Sequence, residues 1–338
     1  MGRIKDTNNL KSFNDRCFGV EIEFVALTGF TKDEVANFIA AEARVEVVAE
    51  GYNHETRNHW KIVGDSSVGS TDATPGYSNM GLELVSPILK GADGVAQVVA
   101  VLNAMKSKMV TNGFDQTVNK PLCAINRTCG LHVHHDVRDW VSDFRSHDAD
   151  KNYSAINKVT NLISLTSKFE NVIYGMLPAS RRNGSWSRPI NNQYNSVFEA
   201  MNGKSLKKRA DKVKYLADCN KRNKNSARWQ YDRYCGLNTL PMFRHGTVEF
   251  RYGSPTLNVE KMINWIVFTQ CFVNMAETFK TVNSYSEMKL DTKRNVDLTF
   301  DKMRDSLGLS RRMCKDDFQR ACALWIRKRY NHFNPQTA

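Results

Sequence analysis

Residues 246–258 read GTVEFRYGSPTLN, and the first half of this stretch alternates as a half-buried β-strand does. Side chains along a strand point to opposite faces with a period of two. The apolar face comprises Val248, Phe250 and Tyr252. The opposite face carries the carboxylate of Glu249 and the guanidinium of Arg251. An exposed ion pair of this kind is common on proteins, so this strand alone indicates no function.

Three further strand candidates repeat the pattern of an apolar stripe opposite acidic or imidazole side chains. They are CFGVEIEFVAL at 17–27, GLELVSPIL at 81–89 and CGLHVHH at 129–135. Their polar positions are Glu21, Glu23, Glu83, His132 and His134. If these strands and the first one lie in one sheet, four carboxylates and two imidazoles converge on one concave face.

Helical periodicity between the strands predicts the other layer. TKDEVANFIAAEAR opens with a capping box, in which Thr31 caps the helix and Glu34 reaches back. A second helix is expected from the apolar spacing of residues 95–109, with Asp93 as its cap. We therefore predict an α+β fold, with a largely antiparallel sheet that has a concave active-site face and helices packed on the other face.

The formal net charge of +13 is concentrated in two segments. Residues 203–233 hold eleven Lys and Arg against three Asp and Glu, and residues 280–338 hold thirteen against seven. Such segments attract polyanions, which include acidic substrates and nucleic acid, but a lysine-rich helix is also often only a solvated face. The last segment is predicted to be helical and peripheral.

The sequence contains no segment that resembles a membrane span or a secretory leader. No stretch approaches the ~20 apolar residues that a span needs, and the first 17 residues have no apolar core. Eight cysteines are scattered without a CxxC pair, which argues against a disulfide framework. We expect a cytoplasmic protein with reduced, mostly buried cysteines.

The clustered carboxylates predict a site for divalent metal ions. Carboxylates brought together without a countercharge resist joint ionisation. Mg²⁺ and Mn²⁺ resolve that conflict because they prefer oxygen ligands and bridge substrate phosphates, and an arginine beside them binds phosphate oxygens. A zinc site that combines His132 and His134 with Cys123 and Cys129 is a weaker alternative, because the spacing fits no zinc finger.

The sequence contains no glycine-rich nucleotide signature such as GxxxxGK[ST] or GxGxxG before a helix. Any ATP site must therefore be built by strands, metal ions and arginines. A metal-dependent phosphotransferase or nucleotidyltransferase would use the same carboxylates. A nucleic-acid-binding protein without catalysis would use the basic segments, with Trp229, Tyr231 and Tyr234 for stacking.

Seven motifs in order resemble the amidoligase family of the carboxylate-amine ligase superfamily, which also contains glutamine synthetase and glutamate-cysteine ligase. The motifs are FGVEIEF, WKIVGDSSV, GLELVSPIL, CGLHVHH, LPASRRNGSW, RYCGLN and GTVEFRYGSPTLN. The resemblance spans roughly residues 17–275. It implies a glutamine-synthetase-like catalytic fold in residues 1–279, with the basic stretch 203–233 as an insert and residues 280–338 as an extension.

The resemblance also implies a reaction and a set of site residues. ATP and two or more Mg²⁺ or Mn²⁺ ions would join a carboxylate donor, such as an amino acid or peptide, to an amine through an acyl-phosphate. The implied metal ligands are Glu21, Glu23, Glu83, Glu249 and one of His132 and His134, with His132 favoured.

The same resemblance assigns five more residues to ATP and substrates. Arg251 would hold the transferred phosphate, and Arg181 or Arg182 would contact phosphate or the substrate carboxylate. Asp65 would orient the amine, and Asn238 would line the pocket. Nothing in the residues selects a particular donor or amine.

Overall fold

The computed structural model describes residues 10–27, 29–69, 77–111, 121–144, 148–182, 187–190, 234–279 and 296–335. Contacts between Cα atoms divide the chain into two compact units. We call Asn14–His134 with Gly253–Ile266 the sheet unit. Met1–Phe13, His135–Tyr252 and Val267–Ala338 form the second, which we call the helical unit.

The sheet unit is built on a largely antiparallel sheet, as predicted. Its strands are β1 (Cys17–Leu27), β2 (Val47–Ala49), β3 (Trp60–Gly64), β4 (Tyr77–Val85), β5 (Leu89–Lys90), β6 (Met109–Thr111), β7 (Cys123–Ile125) and β8 (Leu131–Asp136), of which β8 ends in the helical unit. Neighbours follow the order β2-β3-β4-β1-β8, while β5 and β7 also pair with β1. Only the pairs β2 with β3 and β6 with β7 are parallel among the ladders described in this unit.

Two helices of the sheet unit follow the predicted patterns, with one correction. Helix α1 (Lys32–Ala43) begins with the expected capping box between Thr31 and Glu34. Helix α2 (Gly91–Lys108) begins two residues before Asp93, at an N-cap without a side-chain hydrogen bond. The predicted cap is therefore wrong. Asp93 instead lies in the first turn, where its negative charge interacts favourably with the positive end of the helix dipole and stabilises the helix.

The apolar face of the sheet is covered by α2. In β1, Val20, Ile22 and Phe24 are at most 1% exposed. The indole of Trp60 on β3 donates to Gln97 of α2 at 3.3 Å. The alternate residues of β1 therefore lie on the opposite face, as the sequence predicted.

The described residues of the helical unit are mostly helical and include a short ladder of two strands. Its helices are α3 (Arg138–Phe144), α4 (Ala149–Gly175), α5 (Ala179–Arg182), α6 (Pro241–His245), most of α7 (Val259–Thr278), α8 (Val296–Ser306) and α9 (Asp317–Phe333). Strand β9 (Leu237–Asn238) pairs antiparallel with β10 (Thr247–Gly253). In that ladder Asn238 lies directly opposite Glu249.

The C-terminal helices are packed into the helical unit, so the prediction that they are peripheral is wrong. Phe300 on α8 and Ile326 on α9 are fully buried. Arg329 donates to the carbonyl of Met176 at 3.0 Å, and Asp316 accepts from the backbone N–H of Phe13 at 2.6 Å. The amphipathic spacing of these helices provides this buried face. The division at residue 280 stays a prediction.

The remaining predictions concern the cysteines, membrane-spanning helices and the basic stretch. The seven cysteines in the described residues are free, and five of them are buried. Among the helices that the structure describes, none combines the length and apolar character needed to cross a membrane. The basic stretch 203–233, with Trp229 and Tyr231, lies outside the described residues, as does Cys219.

A buried carboxyl lies in the middle of the helical unit. Glu170 on α4 is 2% exposed and accepts a hydrogen bond from the Tyr252 hydroxyl at 2.7 Å. It also accepts from the backbone N–H of Ile190 at 2.9 Å. Burial raises the pKa of Glu170 to about 7, although both hydrogen bonds act to lower it.

This carboxyl should make folding stability depend on pH. Because the pKa of folded Glu170 lies above the ordinary 4.5, its neutral form stabilises the fold fully below about pH 4.5, and that contribution is lost as pH rises through 7. At ~1.4 kcal/mol per pKa unit the loss is roughly 3 kcal/mol. Urea unfolding between pH 5 and 8 should show this decline in wild type and a flatter curve for Glu170→Gln. Asp150→Asn, an exposed change on the same helix, should retain the wild-type slope, and an equal slope in Glu170→Gln would contradict the assignment.

Candidate functional site

The pairing of β1 with β4 brings acidic side chains together in the sheet unit. Glu23 lies directly opposite Glu83, and Glu21 lies opposite Val85. These residues are on the face away from α2. Like charges directly opposite each other on a sheet are destabilising, so this register is costly without a countercharge.

Two imidazoles from β8 reach the same carboxylates. His132 places Nδ1 at 3.0 Å from Oε2 of Glu21 and Nε2 at 3.2 Å from Oε1 of Glu23. His134 places Nε2 at 3.1 Å from the other oxygen of Glu21. The prediction that both histidines lie on the carboxylate face is confirmed. Both ring nitrogens of His132 therefore face carboxylate oxygens.

The two central glutamates have opposite electrostatic tendencies. Burial acts to raise the pKa of Glu21, but attraction to His134 and hydrogen bonds with both histidines hold that pKa well below its usual range. Burial, followed by the charges of Glu21 and Glu23, raises the pKa of Glu83 well above its usual range. Glu83 is therefore the carboxylate that most needs a cation to remain ionised.

A fourth acidic residue, Asp65, joins this cluster from the turn after β3. Its backbone N–H donates to the carbonyl of Gly81 at 2.9 Å. One carboxylate oxygen accepts from the backbone and hydroxyl of Ser67 at 2.8 and 2.7 Å. The turn thus fixes Asp65 beside β4, where Glu83 is located.

Two groups of potential metal ligands result, and they share Glu83. Within each group the ligand atoms lie within 4.8 Å of one another. The groups are Glu21, Glu83 and His132, and Glu23, Asp65 and Glu83. Three carboxylates in one group and two with an imidazole in the other fit a hard divalent cation such as Mg²⁺ or Mn²⁺.

The predicted alternative of a zinc site has no support in these residues. In the part of the chain that the structure describes, no group of three close ligand atoms includes a cysteine. Cys129 lies 3.5 Å from the backbone nitrogen of Asn126, in the turn before β8. Burial raises the pKa of the Cys123 thiol, which disfavours the thiolate that zinc requires.

A buried cation, Lys61, lies on β3 and was not among the predicted site residues. It faces Val85 in the register, in the same cross-strand row as Glu21. Its Nζ donates to Oδ1 of Asn53 at 2.8 Å and to the carbonyl of Glu55 at 2.6 Å. Burial lowers the pKa of Lys61, while nearby acids oppose that effect. Lys61 therefore fixes the loop before β3 at the edge of the carboxylate face.

Gly81 is expected to control the position of Asp65. A Cβ at Gly81 would lie 2.3 Å from the carbonyl oxygen of Asp65 and 2.2 Å from that of Val68. Because both are backbone atoms, Gly81→Ala should displace the turn, at a cost of roughly 1–3 kcal/mol in unfolding free energy. It should also weaken Mn²⁺ binding, measured by calorimetric titration. Gly64→Ala is the matched control, because a Cβ there meets nothing within 4 Å; equal Mn²⁺ affinity in both variants would contradict the role of the turn.

Strand β10 places a second group of charged residues in the helical unit. Arg251 Nη1 lies 2.6 Å from Oε1 of Glu249. The amide of Asn238 donates to the other oxygen of Glu249 at 2.6 Å. Glu249 is buried, and the Arg251 side chain is 12% exposed. The face assignment of this strand is therefore correct, and Asn238 orients the carboxylate.

The two arginines of α5 differ in their surroundings. Arg181 is buried and donates from Nη2 to the carbonyl of Arg251 at 3.1 Å. Arg182 is exposed, donates to the carbonyl of Leu177 at 3.0 Å and lies over the ring of Phe333 at 5.9 Å. Arg181 therefore supports the Arg251 strand, while Arg182 packs against helices of the same unit.

The structure thus brings the predicted residues together within each unit. In the sheet unit these are Glu21, Glu23, Glu83, His132 and His134, joined by Asp65. In the helical unit Glu249 contacts Asn238 and Arg251, and Arg181 contacts the Arg251 backbone. The ligand and substrate roles assigned to all of these residues stay predictions.

The profile of a protein family described as "Putative amidoligase enzyme" matches residues 14–273. The match covers 260 (273 − 14 + 1) of the 338 residues, and the chain belongs to this family. The resemblance seen in the seven motifs is confirmed.

Two further comparisons complete these findings. A search of curated proteins found no match. Among solved structures, a bifunctional glutathione synthetase from Pasteurella multocida is similar at 13% sequence identity and a TM-score of 0.43. That match covers 97% of this chain and 48% of the synthetase, so the chain spans about half of its length.

Proposed function

We propose that the chain is an ATP- and Mg²⁺-dependent carboxylate-amine ligase that forms an amide or isopeptide bond through an acyl-phosphate, with Mn²⁺ as an alternative metal. The observation that carries the proposal is the register that sets Glu23 opposite Glu83, with His132 beside both. Family membership supports the reaction class. A glutamine-synthetase-like catalytic fold and a cytoplasmic location, where ATP is available, are part of the proposal.

The sheet unit would hold the metal ions. We assign one ion to Glu21, Glu83 and His132, and a second to Glu23, Asp65 and Glu83. When bound, such ions offset the charge of phosphate oxygens and align them for in-line transfer. The protein supplies a fixed set of oxygen ligands and excludes much of the water around Glu23 and His132, which are 4% exposed.

The reaction has two steps whose atoms balance. An oxygen of the donor carboxylate attacks the terminal phosphorus of ATP, and the bond to ADP breaks. The amine then attacks the acyl carbon, inorganic phosphate leaves with the donor oxygen, and the amine loses a proton. Phosphorylation is needed because a free carboxylate is a poor electrophile.

Within the helical unit, we assign Arg251 to phosphate binding, and Glu249 stays a predicted metal ligand. The planar guanidinium of Arg251 can grip two phosphate oxygens where a lysine can grip only one. Its ion pair with Glu249 keeps it aligned. We assign Asn238 to the orientation of Glu249 and Arg181 to the support of the Arg251 backbone.

The remaining predicted roles stay part of the proposal. Asp65 could orient the amine in addition to binding metal, and Arg182 could contact a substrate carboxylate only after leaving Phe333. The donor is a carboxylate such as an amino acid or peptide. The basic segments would attract an acidic substrate or nucleic acid.

Hydroxylamine tests this proposal without knowledge of the natural amine. The protein is incubated with MgATP, hydroxylamine and a panel of free amino acids and short acidic peptides. We expect at least one donor to yield its hydroxamate with equimolar ADP, because hydroxylamine captures an acyl-phosphate. ADP release with phosphate transfer to a donor hydroxyl would instead indicate a phosphotransferase. Absence of both products across the panel, with MgATP binding also absent, would overturn the proposal.

A further inference from the structure

Glu170 lies at the centre of the contacts that hold the strand carrying Arg251. As described above, it accepts from the hydroxyl of Tyr252, the next residue along β10, and from the backbone N–H of Ile190. These two partners are 82 and 20 residues away from it in sequence. One buried carboxyl on α4 therefore fixes two segments that are not continuous with its helix.

The second of these segments leads back to Arg251 through the backbone. Arg188 donates to the carbonyl of Tyr234 at 3.1 Å and accepts from the N–H of Gly236 at 3.0 Å. Gly236 in turn accepts from the N–H of Arg251 at 2.8 Å. A second chain of hydrogen bonds thus connects Glu170 to the backbone of Arg251, through residues 187–190 and Gly236.

The packing around Tyr252 leaves little freedom for movement. A Cβ at Gly236 would lie 1.9 Å from the ring of Tyr252, so this ring sits directly on the glycine backbone. Tyr174 contacts the same ring edge-on at 5.4 Å between centroids and donates to the carbonyl of Ser187 at 2.5 Å. A shift of Tyr252 must therefore move the Arg251 backbone or residues 187–190.

We infer that Glu170 is a positioning residue, which holds Arg251 in place for phosphate binding through Tyr252 and residues 187–190. This inference rests on the phosphate-binding role proposed for Arg251. Glu170 does not contact substrate in this account, and it acts only through the strand. This positioning role follows neither from family membership nor from the cluster of metal ligands.

The groups that contact Glu170 act as donors to its carboxyl. Tyr252 on β10 donates from its hydroxyl, and Ile190 donates from its backbone N–H. Tyr174 on α4 also interacts with Glu170, while Cys235 before β9 interacts with both tyrosines and Arg181 on α5 with Tyr174. Both hydrogen bonds to Glu170 act to lower its pKa, so they persist when the carboxyl ionises. The positioning role therefore rests on these hydrogen bonds.

The test measures MgATP binding by calorimetry, with thermal melts to show that each variant is folded. Glu170→Leu, which lacks both hydrogen bonds, should bind MgATP about tenfold more weakly than wild type, the equivalent of ~1.4 kcal/mol. Glu170→Gln keeps an oxygen that can accept both hydrogen bonds, so it should restore binding close to that of wild type. Asp150→Asn, an exposed change on α4, should bind MgATP as wild type does.

The outcomes separate this inference from the proposed function when Arg251→Lys is measured in parallel. Wild-type affinity in a folded Glu170→Leu would overturn the inference, as would a folded Glu170→Gln that binds MgATP as weakly as Glu170→Leu. If either result occurs while Arg251→Lys weakens binding, only the positioning role fails. If Arg251→Lys binds MgATP as wild type does, the phosphate role fails and the inference fails with it.

Discussion

Glu83→Gln is expected to abolish ligase turnover, by at least about a thousandfold, while leaving the metal-free protein at least as stable as wild type. Glu83 belongs to both groups of metal ligands, so its loss disrupts both. Its charge faces Glu23 across the strands, so a neutral side chain removes repulsion in the metal-free state. Wild type should gain ~2.7 kcal/mol of stability at a metal concentration of 100 Kd, and the variant should gain little.

The measurement is hydroxamate formation with the best donor of the panel, beside thermal melts with and without Mg²⁺. Glu42→Gln is the control, because Glu42 is an exposed carboxylate on α1 of the same unit. It should retain the turnover and the metal-induced stabilisation of wild type. Wild-type turnover in Glu83→Gln would remove the metal-centre assignment.

Arg251→Lys is expected to slow phosphoryl transfer by roughly 30-fold to 1000-fold. Lysine keeps the positive charge but loses the planar fork, and a contact that is present in bound ATP and strengthens in the transition state is worth ~2–4 kcal/mol. Each ~1.4 kcal/mol corresponds to a factor of ten in rate. Single-turnover formation of ADP in the presence of donor measures this step. The fold should survive, because lysine can still pair with Glu249.

Arg320→Lys gives the matched control for this substitution. Arg320 also pairs with a carboxylate, Asp317 at 2.6 Å, but on the exposed surface of α9. Such exposed pairs contribute ~0–1 kcal/mol, so both the melt and the rate should stay close to wild type. Equal rates for Arg251→Lys and Arg320→Lys would show that the guanidinium of β10 plays no part in transfer.

The sequence was sufficient to predict the strand faces and much of the candidate site. The period of two assigned Glu21, Glu23, His132 and His134 to the face opposite the buried stripe, because only that assignment buries the apolar residues of β1 and β8. The capping box at Thr31 was equally predictable, because its two residues are three positions apart in the sequence. Local patterns of this kind need no knowledge of the tertiary fold.

Features that depend on distant contacts were not predictable. Asp65 reaches Glu83 only because Gly81 lets the turn after β3 lie against β4, and a glycine in a strand pattern does not indicate what approaches it. In the sequence, Glu170 is one polar position of a long helix. Its contact with Tyr252 could not be predicted because the two residues are 82 positions apart. The buried side of α9 was hard to predict because the helix carries many basic residues, of which Arg329 itself contacts Met176.

Titration of the protein with Mn²⁺, followed by electron paramagnetic resonance of the free ion, tests the metal centre and requires neither donor nor amine. We expect saturable Mn²⁺ binding to wild type that Mg²⁺ displaces and that Glu83→Gln loses, while Glu42→Gln retains it. Wild type that leaves all Mn²⁺ free, or a Glu83→Gln variant that binds Mn²⁺ with unchanged affinity, would contradict the metal centre.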